Sequence, residues 1–267
     1  MDIIHNKVLM KYMVTELDKA YPSKRNHTFS NEYYLKNILH VLHGCVNWNF
    51  LKNLHIDKSP YHYKSIQNKF LKWSKDGFFK KLFDKLLVED YVKPNKNIDL
   101  FIDSTMVNNS KGRDLIGVNP LYKKKKVTKI SCVIDIKKHI LAVVPFVSTK
   151  HDSTTVVDTL NAVPISLKPQ KHCRLNLIGD AAYLNTKKYY TYGEKKINLI
   201  TPYRKNMNRH HSLFDRSKLR SRFRVEHTFQ QLKKYNRINL RQDKLLCTYM
   251  NFMYMACFIE NFKLMKK

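Results

Sequence analysis

The stretch NIDLFID (residues 97–103) is a short apolar run that ends on Asp103, and CRLNLIGD (173–180) repeats the pattern, ending on Asp180. Apolar runs of this length bounded by turn residues read as buried strands. Between them lie a polar, lysine-dense loop, GVNPLYKKKK (117–126), and two more strand-like runs, KISCVID (129–135) and HILAVVPFV (139–147). The turn Asp135-Ile136-Lys137-Lys138 joins that second pair into a hairpin. A helical stretch then begins at Asp152, read as its N-cap, and carries Val156, Val157, Leu160 and Val163. After a short helix, INLITPY (197–203) is a further strand, and a long helix follows. This order predicts an α/β domain with a mixed sheet flanked by helices, of ribonuclease-H-like type. If the strands ending in Asp103 and Asp180 are parallel neighbours, both carboxylates emerge at one sheet edge, where open α/β folds place their sites.

The long helix carries RFRVEHTFQQLK (222–233). At helical pitch Arg222, Glu226, Phe229 and Lys233 fall within a stripe about 60° wide. A carboxylate between two cations on one face makes sense where the acid holds a metal ion and the cations hold phosphates. Phosphodiester cleavage by metal ions uses two hard cations about 3.5–4 Å apart. Mg²⁺ prefers oxygen ligands and keeps several waters, so two or three carboxylates suffice without His or Cys. Each acid also has a plainer reading. An Asp at a strand end is often a turn or cap residue, and Glu226 could simply pair with Arg222, worth about 0.3–0.5 kcal/mol. Asp99, Asp135, Asp152 and Asp158 compete for the same role. Spacing allows the cluster Asp103, Asp180 and Glu226 without proving it.

Composition narrows the partner. The chain has 267 residues, 43% hydrophobic and 12% aromatic, enough for a core and two domains, one small. Lys plus Arg number 50 against 21 Asp plus Glu, a formal net charge of +29. Such a surplus points to a polyanion, with nucleic acid first and a structural RNA binder open on charge alone. No long apolar run, lipidation signal or leader favours a membrane. The five cysteines never fall as CxxC and read as buried free thiols of a reducing compartment. Zinc sites from His172 with Cys173, or His210 with His211, lack the paired spacing such sites need.

Residues 1–90 read as helices joined by short turns. Ser30 caps a helix with Tyr34, Leu35, Ile38, Leu39 and Leu42 on its apolar side, ended by Gly44. Trp48, Leu51 and Leu54 follow at packing spacing. Ser59-Pro60 starts another helix, which buries Tyr63, Ile66, Phe70 and Trp73 and sets Lys64, Asn68, Lys72 and Lys75 on another face. Gly77 separates a last helix, FFKKLFDKLL, and Pro94-Asn95 punctuates the exit. The predicted division is a helical domain over 1–93 and the α/β domain over 94–267. The lysine row suits a helix-turn-helix laid along DNA, or a solvated face on an ordinary helical cap.

At this point the motifs match a known pattern. IDST (102–105), NPLYKKKKVTKISCVID, VSTKHD (147–152), GDAAY (179–183) and RFRVEHTFQQLKKYNRINLR occur in the family's order, after GCVNWNFLKNL and KFLKWSKDGFFKKLF. The chain resembles insertion-sequence DDE transposases, the group whose glutamate lies in a Tyr-Arg-Glu-Lys signature. Arg222, Glu226 and Lys233 match in place, while the tyrosine position is Leu219, so the hydroxyl of the family pattern is absent there.

The resemblance implies that Asp103, Asp180 and Glu226 are catalytic and bind two Mg²⁺ or Mn²⁺ ions. Water cuts at each transposon end, and the exposed 3′-hydroxyl then attacks target DNA in line. Arg222 and Lys233 would grip phosphates near the cut, and Lys123, Lys124, Lys125 and Lys126 could hold end or target DNA. Lys64 and Lys72 would serve the N-terminal domain. His151-Asp152 reads as cap and loop, Tyr183 as packing beneath the Asp180 loop, and Leu245–Leu264 as core. The implied partner is double-stranded DNA, both terminal inverted repeats and target, bound by a homodimer in the nucleoid or nucleus. Two other readings stay open: a non-enzymatic DNA binder descended from a transposase, and a nuclease that only hydrolyses.

Overall fold

In the computed structural model the described residues are 4–22, 29–45, 47–53, 63–91, 97–118, 125–167, 173–184, 191–192, 195–203, 207 and 212–266. The chain divides into two compact units, Met1–Lys85 with Ser110–Arg113 and Leu232–Lys267, and Leu86–Asn109 with Asp114–Gln231. This division by contact differs from the expected one at 93/94: the last helices group with the N-terminal ones.

The second unit holds the sheet. Its five strands of four or more described residues are β1 (Ile98–Asn109), β2 (Lys126–Asp135), β3 (Ile140–Val147), β4 (Leu175–Ile178) and β5 (Lys195–Ile200). Their spatial order is β3-β2-β1-β4-β5, with β1, β2 and β3 antiparallel in turn and β1, β4 and β5 parallel. That is the ribonuclease-H-like mixed sheet the sequence predicts. The hairpin forms as expected, with Lys138 at φ 71 in its turn. Asp135 caps the turn by accepting the His139 amide at 2.8 Å.

One strand departs from expectation. β1 does not stop at Asp103 but runs on through STMVNN to Asn109, pairing Ser104 with Ser131 and Asn108 with Val127. Backbone pairing to the buried strand β2 holds these polar residues in the sheet, because an apolar run marks burial and not strand length.

The first unit is helical. It contains α1 (Lys7–Ala20), α2 (Asn31–Gly44), α3 (Tyr63–Lys75) and most of α4 (Phe78–Asp90). Ser30 caps α2 by accepting the Tyr33 amide at 3.2 Å, and the left-handed residue ending it is Cys45 (φ 54), one past Gly44. Trp48 and Leu51 lie in a 3₁₀ turn, Trp48–Asn53, while the side chain of Leu54 and the Ser59-Pro60 cap fall outside the described residues. In α3, Ile66, Phe70 and Trp73 are buried, whereas Lys64, Asn68, Lys72 and Lys75 are exposed. Gly77, at φ 70, makes the turn into α4.

The helices α5 (Val156–Asn161), α6 (Leu213–Arg220) and α7 (Phe223–Lys233) follow in the second half, then α8 (Asn236–Asn239) and α9 (Leu246–Met265). α9 is apolar on every side and buries Phe252, Met255, Phe258, Ile259 and Phe262, as a helix at the centre of a bundle must. Phe252 stacks on Phe70 at 4.2 Å between ring centres. Core packing, the role expected of this segment, is what it does. Among the described residues no helix is long and apolar enough to cross a membrane. All five cysteines are free; Cys132 and Cys257 are buried, but Cys247 is exposed and Cys45 and Cys173 are intermediate, so not all are the buried thiols expected.

Candidate active site

The parallel pairing of β1 with β4 sets the site. Its register runs Ile98 with Leu175 to Phe101 with Ile178. Continued by two residues past the last pair, it brings Asp103 level with Asp180. Adjacent strands lie about 4.8 Å apart, so this register sets the two acids at the same end of neighbouring strands, near enough for Asp180 to act on the Asp103 charge. Asp180 begins a 3₁₀ turn, Ala181–Tyr183, and its side chain accepts the Ala182 amide at 2.8 Å. Beneath this turn Tyr183 is fully buried, as expected of a packing residue. A Cβ on Gly179 would stand 2.7 Å from the Tyr183 ring, so this position takes no side chain without moving it.

Asp103 accepts the Ser104 amide at 2.8 Å and lies 3.9 Å from an Arg222 nitrogen. Burial pushes its carboxyl up to about 6; the Ser104 amide and Arg222 oppose the rise, and Asp180 and Asp152 add to it. Burial also raises the Tyr183 hydroxyl far above its ordinary range, with Asp152, Asp103 and Asp180 contributing.

Arg222 lies in the turn just before α7, not within the helix. Its guanidinium bridges two acids, at 2.9 Å from Glu226 and 3.9 Å from Asp103. Glu226 is 49% exposed, against 18% for Asp103. The structure thus brings Asp103 and Asp180 together and leaves Glu226 on the far side of Arg222. Among the described residues no group of three or more His, Cys, Asp or Glu side chains stands close enough to hold a metal ion. The donors do fit hard cations: Asp103 and Asp180 offer oxygens only, and the Asp103 carboxyl, raised chiefly by burial and further by Asp180 and Asp152, is one whose charge a cation would offset.

The competing acids are engaged elsewhere. Asp99 accepts Asn176 Nδ2 at 2.7 Å and pairs with Lys218. Asp135 pairs with His139 at 2.8 Å, and Asp158 with Lys150 at 3.0 Å. Asp152 is different. It does not cap a helix: His151 caps the 3₁₀ turn Asp152–Thr154. The Asp152 carboxylate instead accepts the Ser104 hydroxyl, and Lys129 Nζ at 3.1 Å. A cap-like position ahead of an apolar helix hid this role, and the buried Lys129 inside a strand was the signal that could have revealed it.

Of the other cations, Lys233 is half-buried and burial lowers its pKa, while Lys125 and Lys126 are exposed. Lys123 and Lys124 lie outside the described residues.

Residues 94–257 match the family described as transposase DDE domain. The chain belongs to that family. The matched DDE domain includes Asp103, Asp180, Glu226, Arg222 and Lys233, and it ends within α9. Among solved structures, a cryo-EM structure of the piggyBac transposase synaptic complex with hairpin DNA is similar at 10% identity and a TM-score of 0.48, over 99% of this chain and 73% of that one. No curated protein matches the chain.

Proposed function

We propose that this DDE domain cuts the ends of a DNA element and joins the 3′-hydroxyls to target DNA, in the manner of the Tyr-Arg-Glu-Lys group. What supports the reading is the parallel register of β1 and β4, which, carried two residues past its last pair, levels Asp103 with Asp180, together with the Asp103 carboxyl raised to about 6. Asp103, Asp180 and Glu226 would hold Mg²⁺ or Mn²⁺, two per site. Bound there, such ions make the attacking water or hydroxyl more acidic and stabilise the leaving oxygen.

The chain's own residues orient and neutralise. The Ser104 amide orients Asp103, and the Ala182 amide orients Asp180. Arg222 supplies a planar, permanently charged donor suited to a phosphate beside the cut, with Lys233 further along α7. Lys123, Lys124, Lys125 and Lys126 would carry DNA backbone, and residues 1–93, through Lys64 and Lys72, would bind duplex DNA. Joining two ends requires two sites, so the working form would be a homodimer on the terminal repeats, acting inside the cell.

A second reading, a DNA binder that does not cut, draws on the Arg222 bridge that keeps Glu226 apart from Asp103. A labelled duplex carrying the terminal repeats, incubated with the protein and Mg²⁺ or Mn²⁺, separates the possibilities. Nicked ends with strand-transfer products support the transposase. Nicks alone support a nuclease, and binding without either product, in the parent and Glu226→Gln alike, supports the binder.

A further inference from the structure

Lys129 sits in the middle of β2 with its side chain only 5% exposed. A buried ammonium is costly unless paired, and two apolar residues would fill such a place at no electrostatic cost. Here the ammonium donates to Asp152 Oδ1 at 3.1 Å and to the carbonyl oxygen of Lys150 at 2.5 Å. It thereby holds the segment leading into the turn Asp152–Thr154 at two points. The same Asp152 oxygen accepts the Ser104 hydroxyl, and the Ser104 amide is the donor to Asp103 Oδ1. The turn that starts at Asp152 also packs against the turn Ala181–Tyr183, which starts from Asp180. An unbroken chain of polar contacts therefore runs from Lys129 through Asp152 and Ser104 to Asp103, and the turn that Asp152 begins packs against the turn that Asp180 caps.

We propose that Asp152 is a positioning residue for the acid pair: anchored by the buried Lys129, it fixes Ser104, and Ser104 in turn sets the Asp103 carboxylate beside Asp180. The proposal rests on the reading that Asp103 and Asp180 hold divalent ions. Partners that orient metal-holding carboxylates are worth roughly ten- to a hundredfold in metal affinity.

The test is Mn²⁺ binding to the full chain without DNA, followed by calorimetry or by the loss of free Mn²⁺ signal. Asp152→Ala and Ser104→Ala should each weaken binding by roughly ten- to a hundredfold. The double variant should be no weaker than the weaker single, because both act through one connection. Asp152→Asn, which keeps an oxygen for the Ser104 hydroxyl, should recover part of the loss. Unchanged Mn²⁺ affinity in Asp152→Ala, or losses that add in the double variant, would overturn the proposal. Should Asp152→Ala fail to fold, Ser104→Ala and Asp152→Asn carry the same test. Asp103→Asn separates the two levels. If it binds Mn²⁺ like the parent, the metal reading falls and takes this proposal with it. If it loses binding while Asp152→Ala keeps it, only the role of Asp152 falls.

Discussion

Asp103 shows how a candidate site residue can work against the stability of its own fold. Its carboxyl rises from the ordinary 3.8 to about 6, chiefly through burial. Over roughly pH 4 to 6 the folded chain therefore keeps a proton that the unfolded chain has released, so stability falls as pH climbs through that window. Above it the full penalty persists. Asp103→Asn removes the charge and, in buffer with EDTA at pH 7.5, should be more stable than the parent by about 1–3 kcal/mol in urea unfolding. The gain should fade below about pH 4, where both forms are neutral. An Asn variant less stable than the parent at pH 7.5 would mean that the charge is not the source of strain. Gly179→Ala tests the neighbouring support. Its methyl would stand 2.7 Å from the Tyr183 ring, and overpacking of this kind costs about 1–3 kcal/mol, read as a lower thermal midpoint. At this scale the strands that lead to Asp103 and Asp180 were readable, because each is an apolar run closed by an acid; the joint action of the two acids is what end cleavage decides. Asp152 was harder to read: a lysine inside the apolar run of β2 hinted at a buried partner, but Ser104 and Lys129 come from strands distant in sequence.

Among the elements, α6 is one the sequence did not disclose. LFDRSKLR has no buried residue, so no apolar stripe marks it. What ties it to the sheet is polar. Lys218 pairs with Asp99, which accepts Asn176 on β4, and Asn176 accepts Asn198 on β5 at 2.9 Å. Asp99, Asn176 and Asn198 stand level on three parallel strands, and α6 leads through Ser221 directly into Arg222. Lys218→Met should loosen α6, at a loss on the order of 1–3 kcal/mol for the charged hydrogen bond. Amide exchange over residues 213–220 should then quicken by roughly ten- to a hundredfold while β4 stays protected. Unaltered exchange in α6 would show that something other than Asp99 holds it. The strand β1 teaches a related lesson. Its second half, STMVNN, looks like loop by hydropathy but is held by pairing with β2, a partner that hydropathy cannot reveal.

For the whole molecule, the net charge of +29 is the dominant property, and it was plain from composition. With about six to ten phosphate contacts, DNA affinity should fall roughly 10³- to 10⁵-fold between 50 and 200 mM salt. Fluorescence anisotropy against a labelled duplex measures this, and a flat response would remove DNA as the partner. The mixed sheet and the all-round apolar character of α9 were also legible, each from a local pattern. The grouping of residues 232–267 with the N-terminal helices was not, because which surface covers an apolar helix depends on partners far away in the chain. The central claim, that Asp103, Asp180 and Glu226 act together on a phosphodiester, is tested most directly by end cleavage in Mg²⁺ with DNA binding followed in parallel. Asp103→Asn, Asp180→Asn and Glu226→Gln should each bind the terminal-repeat duplex like the parent and leave it uncut. Cleavage at the parental rate by any one of them would contradict the claim.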